Sequence, residues 1–482
     1  VWLDRKLLFN YHVKQKTAAA TRALNMISRL SNSEWGLSAP AIRQLYYTCI
    51  TPIADYGAEV WWKGQIGLAN KLQKLQAEAN RRILGAFRTS PTAAMEIEAA
   101  TLRIPLRLDR QCKRYAYRVL QMLSDHPIRQ RTPSSFPSTL SSSIPLDRPC
   151  SSSSEMLNTL SSFLPVGQDV EQCYPNLQPP WDTNLPDTTS RLDITISQED
   201  KDTAAKSHIT LLNSLDNSEN LVLYTDGSEL QNGGVGAGVV MMHGGGIVGR
   251  WRVGLGCGMK VYDGELVGIA SALTEASRSS LSFKHILVFT DNQAAISNSH
   301  RLSPHPGQQI SQQIQQLTKD LLSSDLDIQL HLSWVPSHTG IQGNDEADRL
   351  AKQAAEYPQP DIDSFLSLTK LKTQIKQSAL KAWHQYWTQL QPAKQGRHYR
   401  SIHFHLPSLH PPLHFFQLHR PQLATVTQLR LGHGCFNTYL SRLDENVSDR
   451  CSCTKSTPPP QTPEHLILYC SRYQQHRHLL RS

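Results

Sequence analysis

Three short apolar runs, each ending in an acidic residue or a Pro/Gly loop, constrain this chain more than any other feature. Leu221-Val222-Leu223 leads into Tyr224-Thr225-Asp226-Gly227-Ser228, and Ile286-Leu287-Val288-Phe289 leads into Thr290-Asp291-Asn292. Ile328 to Val335 leads into Pro336-Ser337-His338-Thr339-Gly340. Runs of this length and content read as buried strands, so Asp226 and Asp291 are expected at strand ends, which are rigid platforms for chemistry. Between the first two runs, Asp263 to Ser279 places Leu266, Ile269, Ala270, Leu273 and Ala276 on one helical face, with Glu265 in the first turn. After the third, Ala347, Leu350, Ala351 and Ala354 mark a second helix, with Asp348 early in it. The pattern predicts one compact α/β domain to which four separate elements each contribute a carboxylate.

Singly these signals are weak. Asp-Gly-Ser is most often a turn, and Thr-Asp-Asn reads equally well as an Asx turn or a helix N-cap. Asp263, Asp345 and Glu346 compete as acids nearby. Taken in order, with His338 ten residues before Asp348, the set resembles the type 1 ribonuclease H family over residues 218–356. The resemblance implies a five-stranded mixed sheet with three antiparallel strands and helices on both faces. It implies that Asp226, Glu265, Asp291 and Asp348 hold two Mg²⁺ or Mn²⁺ ions, and that His338 assists proton transfer or product departure. It implies endonucleolytic hydrolysis of the RNA strand of RNA:DNA hybrids, with Gly227, Ser228, Asn292, Gln293 and Asn344 toward the nucleic acid. Asp345 and Glu346 are left as first-turn acids favoured by the helix dipole. Hard divalent cations call for oxygen ligands, and a pair roughly 4 Å apart can activate water and stabilise a leaving 3′ oxygen.

The chain departs from cellular members of that family in two places. Val261-Tyr262-Asp263-Gly264 stands where they carry an Asn-Gln pair, and between Asp291 and Trp334 only Arg301 and Lys319 are basic. In both respects it is similar to retroelement ribonucleases H, in which neighbouring domains hold the nucleic acid. Leu45-Tyr46-Tyr47, Pro52 to Trp62 and Arg81 to Pro91 resemble the segment after the polymerase palm in non-LTR retrotransposon reverse transcriptases, although the polymerase's Tyr-x-Asp-Asp is absent. Residues 1–125 are therefore expected to be a helical thumb and connection. Val1 to Leu7 is expected to be a strand already in progress, as in a fragment of a polyprotein whose polymerase portion is a missing partner.

With 482 residues and a net charge of +9, the chain has room for several cores and favours polyanions. Residues 1–130 hold twenty Lys/Arg against nine Asp/Glu. Arg81, Arg82, Arg88, Arg103, Arg107, Lys113, Arg114 and Arg118 are candidates for phosphate contacts, against the plainer reading of a solubilising helix surface. For Trp61 and Trp62, core packing outweighs base stacking.

Residues 126–217 turn to Ser, Pro and Thr and read as a linker with short helical patches. Residues 357–420 read as a connector, first a helical pair with Trp383 and Trp387 in its core, then a Pro/His-rich loop surface. In the tail, 421–482, Cys451, Cys453, His465 and Cys470 resemble the Cys-Cys-His-Cys tails of non-LTR elements, which implies Zn²⁺; reduced structural thiols are the alternative. The other cysteines show no paired framework, and no run resembles a signal peptide or a bilayer span, so the chain is expected to be intracellular and without membrane contact. A catalytically idle, transposon-derived nucleic-acid-binding protein is the competing function, and a cleavage assay separates the two.

Overall fold

The computed structural model describes residues 1–30, 32–122, 126–130, 170–173, 191–215, 218–301, 303–357, 360–361, 365–390, 396–403, 406–454 and 456–478. Most of the Ser/Pro-rich linker lies outside them. The chain divides into two compact units: one combines residues 1–115 with 375–482, and the other takes in the described residues between 116 and 374.

The second unit is built on a mixed sheet of six strands: β1 (Leu192–Thr195), β2 (Asn220–Glu229), β3 (Val235–His243), β4 (Gly246–Gly256), β5 (His285–Thr290) and β6 (Gln329–Trp334). Their order is β1-β6-β5-β2-β3-β4, with β2, β3 and β4 antiparallel and the other neighbours parallel. Five strands are those expected. The sixth, β1, comes from the stretch read as linker. It reaches the β6 edge because the Arg191 guanidinium donates to the carbonyls of Leu322 (2.7 Å), Asp325 (3.1 Å) and Leu326 (3.2 Å) at the end of the Gln308–Ser324 helix. The same stretch supplies the helix Lys201–Ser214, capped by Asp200, whose His208 Nε2 lies 2.8 Å from the Tyr224 hydroxyl.

Helices cover both faces. The helix Val261–Arg278 buries Leu266, Ile269, Ala270, Leu273 and Ala276 against Leu221, Leu223 and Val288. The helix Gln342–Ala355 buries Ala347 and Leu350 with Tyr224, Val240 and Phe289 on the opposite face. It rests directly on β3 because Gly236 and Gly238 have no side chains; a Cβ at either would meet its backbone at Ala347, Ala351 or Ala355.

In the first unit, residues 10–115 are mainly helical, as expected. Trp61 and Trp62 are buried, and so are Trp383 and Trp387. Val1 to Leu7 is not a strand: the Asp4 carboxylate accepts from the amides of Lys6 (3.1 Å) and Leu8 (2.9 Å), closing a turn before the helix Asn10–Ile27. Arg107 is not a phosphate contact. Its guanidinium is buried in a bidentate pair with Asp55 (2.7 and 2.8 Å) and also donates to Tyr46 and Gln76.

Residues 375–482 are built into this unit. Glu98, fully buried, accepts from Tyr399 (2.8 Å), His414 (2.7 Å) and Arg430 (2.9 Å). Arg420 donates to the carbonyls of Asn32, Arg82 and Ile83. Among the described residues, the histidines of 403–419 form no metal-holding group, and no helix is long and apolar enough to cross a membrane.

Candidate active site

Parallel pairing of β2 with β5 ends at Thr225 beside Thr290, so the residues that follow, Asp226 and Asp291, lie side by side. Asp291 is at the end of β5, whereas Asp226, expected at a strand end, lies within β2, which runs on to Glu229 through its pairing with β3. Glu265 reaches them because its helix can approach β2 closely. Gly227 is buried against the first turn of that helix, where a Cβ would stand 2.5 Å from the Glu265 amide nitrogen and 2.8 Å from the Gly264 carbonyl carbon. The outcome is a group in which carboxylate oxygens of Asp226, Glu265 and Asp291 all lie within 4.8 Å of one another. Asp348 projects from the helix on the opposite face, and its carboxylate accepts from Lys352 Nζ at 2.6 Å. His338 stands on the exposed loop before that helix, with a positive φ of 57°.

The electrostatics follow from crowding. Burial, then the charges of Asp291 and Asp348, push the Asp226 carboxyl above the usual carboxylate range. Burial, then Asp226 and Asp291, push Glu265 well up, partly offset by the Thr290 hydroxyl at 3.2 Å and the Gly227 backbone. Asp291 is raised by burial, opposed by His338 and Lys201. Cations among the three acids would offset this crowding and favour their ionised forms. Clustered hard oxygen donors suit Mg²⁺ or Mn²⁺ rather than a softer metal.

Asn292 acts as a cap, its Oδ1 accepting from Ala295 N at 3.1 Å. Gln293 is exposed and Ser228 half-buried. Asn344 is buried, and its Oδ1 has no hydrogen-bond partner. Asp263 is drawn away from the acid group into a buried cap, whereas Glu346 pairs with Arg250 and Arg349. Two neighbours were not anticipated. Lys352 could have been found from its i,i+4 spacing to Asp348, and Thr290 only from its place before Asp291 at the strand end.

Arg81 and Arg82 both pair with Glu78, at 2.8 and 3.0 Å, and Arg88 is exposed. In the tail, Cys451, Cys453, His465 and Cys470 converge, with Cys451 Sγ 3.8 Å from Cys470 Sγ and Cys453 Sγ 3.5 Å from His465 Nε2. A tetrahedral Zn²⁺ with Zn–S of about 2.3 Å and Zn–N of about 2.0–2.1 Å requires separations of about 3.8 and 3.5 Å. The donor set fits zinc.

Residues 218–356 match the family model of RNase H. The chain is similar to a probable RNA-directed DNA polymerase from transposon BS of Drosophila melanogaster, 30% identical over 83 residues, 17% of this chain and 9% of the relative. It is also similar to the retrovirus-related Pol polyprotein from type-1 retrotransposable element R1 of Popillia japonica, 25% identical over 133 residues, 27% of this chain and 48% of the relative. The chain thus spans less than half the length of either. Among solved structures it matches RNase H1 from Halobacterium salinarum NRC-1 at 23% identity and a TM-score of 0.23, over 28% of this chain and 98% of that one.

Residues 218–356 are thus a ribonuclease H domain, of the nuclease class that hydrolyses RNA paired with DNA. The Drosophila melanogaster and Popillia japonica relatives are both named as products of transposable elements.

Proposed function

We propose that the domain cuts the RNA strand of RNA:DNA hybrids endonucleolytically at Asp226, Glu265, Asp291 and Asp348, with His338 assisting, as one step in copying a retrotransposon. The observation that supports this most is the convergence within 4.8 Å of three carboxylates from three elements, two of them buried and Asp291 half-buried. Two Mg²⁺ or Mn²⁺ ions held by these acids would supply an activated water and charge stabilisation at the leaving oxygen. The chain's own part is orientation. The pairing of β2 with β5 fixes Asp226 and Asp291, Thr290 holds the Glu265 carboxylate, and Lys352 steadies Asp348. His338, on its exposed loop, can take or deliver a proton at its imidazole.

The nucleic acid would be held largely from outside the domain. Exposed Arg88, with Arg81 and Arg82 in exchange with Glu78, offers phosphate contacts, and a zinc-bound tail gives a second rigid platform. The polymerase portion of the polyprotein is the expected partner, and no membrane contact is expected.

Asp226→Asn tests the site: it removes charge at nearly constant volume and relieves repulsion. Hydrolysis of a labelled hybrid in Mg²⁺ or Mn²⁺ should fall by several orders of magnitude while Tm holds or rises. Near wild-type cleavage by the variant would refute the assignment. Absence of cleavage by the wild-type chain with either metal would favour an idle nucleic-acid-binding protein.

A further inference from the structure

The turn of helix that carries Glu265 is gripped from two sides. On one side β2 presses on it at Gly227. On the other, Asp263, two residues before Glu265 and fully buried, accepts from the Lys260 amide (2.8 Å), from Ser367 Oγ (2.6 Å) and from Thr369 Oγ1 (2.7 Å to Oδ2, 2.9 Å to Oδ1). A second buried acid, Glu171, accepts from the amides of Gly307 (2.6 Å) and Leu368 (2.8 Å), and Val170 pairs with Leu366 in a short parallel bridge. Two carboxylates thus join the N-termini of three helices. Glu171, Ser367 and Thr369 all lie outside residues 218–356, the span matched to the nuclease family.

We infer that Asp263 is a positioning residue for Glu265, and that Ser367, Thr369 and Glu171 make the flanking segments part of the nuclease's working site. The inference rests on the proposed role of Glu265 as a metal ligand. A buried carboxylate with several donors is stiff, because losing one donor leaves its charge partly unpaired. The start of a helix, here Val261 to Glu265, is otherwise the part most free to fray. Without the Ser367 and Thr369 hydroxyls, Asp263 would keep the Lys260 amide but lose its tie to the following helix. The helix turn beneath Glu265 would then be held by β2 at Gly227, and the carboxylate by the Thr290 hydroxyl, without the tie through Asp263.

The test uses the full chain. Ser367→Ala with Thr369→Val removes both hydroxyls and leaves every acid in place. Mn²⁺ binding is followed by calorimetry, alongside Tm and hybrid cleavage across a Mn²⁺ titration. Changes in groups that orient metal ligands cost about 10–100-fold in metal affinity, so the double variant should bind Mn²⁺ at least about tenfold more weakly. Thr369→Ser, which keeps the hydroxyl, should stay at the wild-type value. Leu371→Ala, a cavity in the same helix at a fully buried position, should lower Tm without moving Mn²⁺ affinity. If the double variant does not fold, Thr369→Val alone is measured, with a smaller shift expected. Unchanged Mn²⁺ affinity without the hydroxyls overturns the inference, as does an equal shift in Leu371→Ala. Glu265→Gln separates the two layers: if it leaves Mn²⁺ binding intact, the reading of the acid group fails and this inference with it. If it abolishes binding while the hydroxyl variants change nothing, this inference alone fails.

Discussion

Gly227→Ala should uncouple stability from catalysis at the Asp226 site. The added Cβ would meet three backbone atoms: the Glu265 nitrogen at 2.5 Å, the Gly264 carbonyl carbon at 2.8 Å and the Val261 oxygen at 2.9 Å. No side chain can rotate to relieve such contacts, so the helix start must retreat from β2 by about 0.9 Å to reach ordinary contact at 3.4 Å. Overpacking of this kind costs about 1–3 kcal/mol, less than the roughly 5–15 kcal/mol that holds a typical domain folded. The variant should therefore fold, with a lower Tm. Its Glu265 carboxylate would be displaced from Asp226 and Asp291 by close to 1 Å, and misplacement on that scale costs roughly 100-fold in rate. Initial rates on a fluorescent RNA:DNA hybrid, taken well below the variant's Tm, read the effect. The Mn²⁺ concentration for half-maximal rate should also rise. A variant that cleaves within about threefold of wild type would show that the close approach of β2 does not set the position of Glu265, and the geometric account of the site would fail.

Glu98→Gln should destabilise the first unit by about 3–5 kcal/mol, the cost of stranding one partner of a buried pair. Burial raises the Glu98 carboxyl, but His414, Arg430 and Tyr399 together outweigh it and hold it at about 2. Its contribution is therefore complete above the ordinary value of 4.5 and lost as pH falls from there toward 2; urea unfolding between pH 7 and 3 should show that loss in wild type and a flatter profile in the variant. Cys451→Ser with Cys470→Ser should remove one bound zinc by elemental analysis and unfold the tail while Mn²⁺ binding is unchanged; protein purified with zinc supplementation but holding none would refute the site. Replacing Arg81, Arg82 and Arg88 by Ala should flatten the salt dependence of hybrid binding by up to about three logarithmic units of slope, and Glu78→Ala, which releases two of them, should tighten binding; fluorescence titrations at several salt concentrations decide. His338→Ala should slow turnover far less than Asp226→Asn, and equal losses in single-turnover assays would show that the loop does more than assist.

The acid group was legible in the sequence because apolar runs and helical stripes are local features. Their boundaries were less so: β2 runs past Asp226 to Glu229 through its pairing with β3, and the helix begins at Val261, which puts Asp263 rather than Glu265 in its first turn. The sixth strand was not legible, because β1 is short and its hold on the β6 edge depends on Arg191 reaching carbonyls more than 130 residues away. Arg107 misled for a related reason. A basic residue on a helix looks the same whether it faces phosphate or a buried Asp55, and only the fold distinguishes them. Asp263 and Glu265 were separable by family pattern alone, since both sit in one helical turn; the cap formed by Ser367 and Thr369 shows physically why one faces away from the metal group.

The way the first unit is assembled from the two ends of the sequence also sets a timetable. Tyr399, His414 and Arg430 follow Glu98 by 301, 316 and 332 residues. At about 5–20 residues per second, synthesis takes roughly fifteen seconds to a minute to cover that interval. During it, the Glu98 carboxylate has only water to solvate it and the helices around it lack their closing partners. The nuclease unit is drawn from residues between 116 and 374, so it can close before the ribosome delivers Tyr399. The first unit is thus begun first and finished last, and its half-made core would stand open to chaperones and proteases while the nuclease unit can already fold.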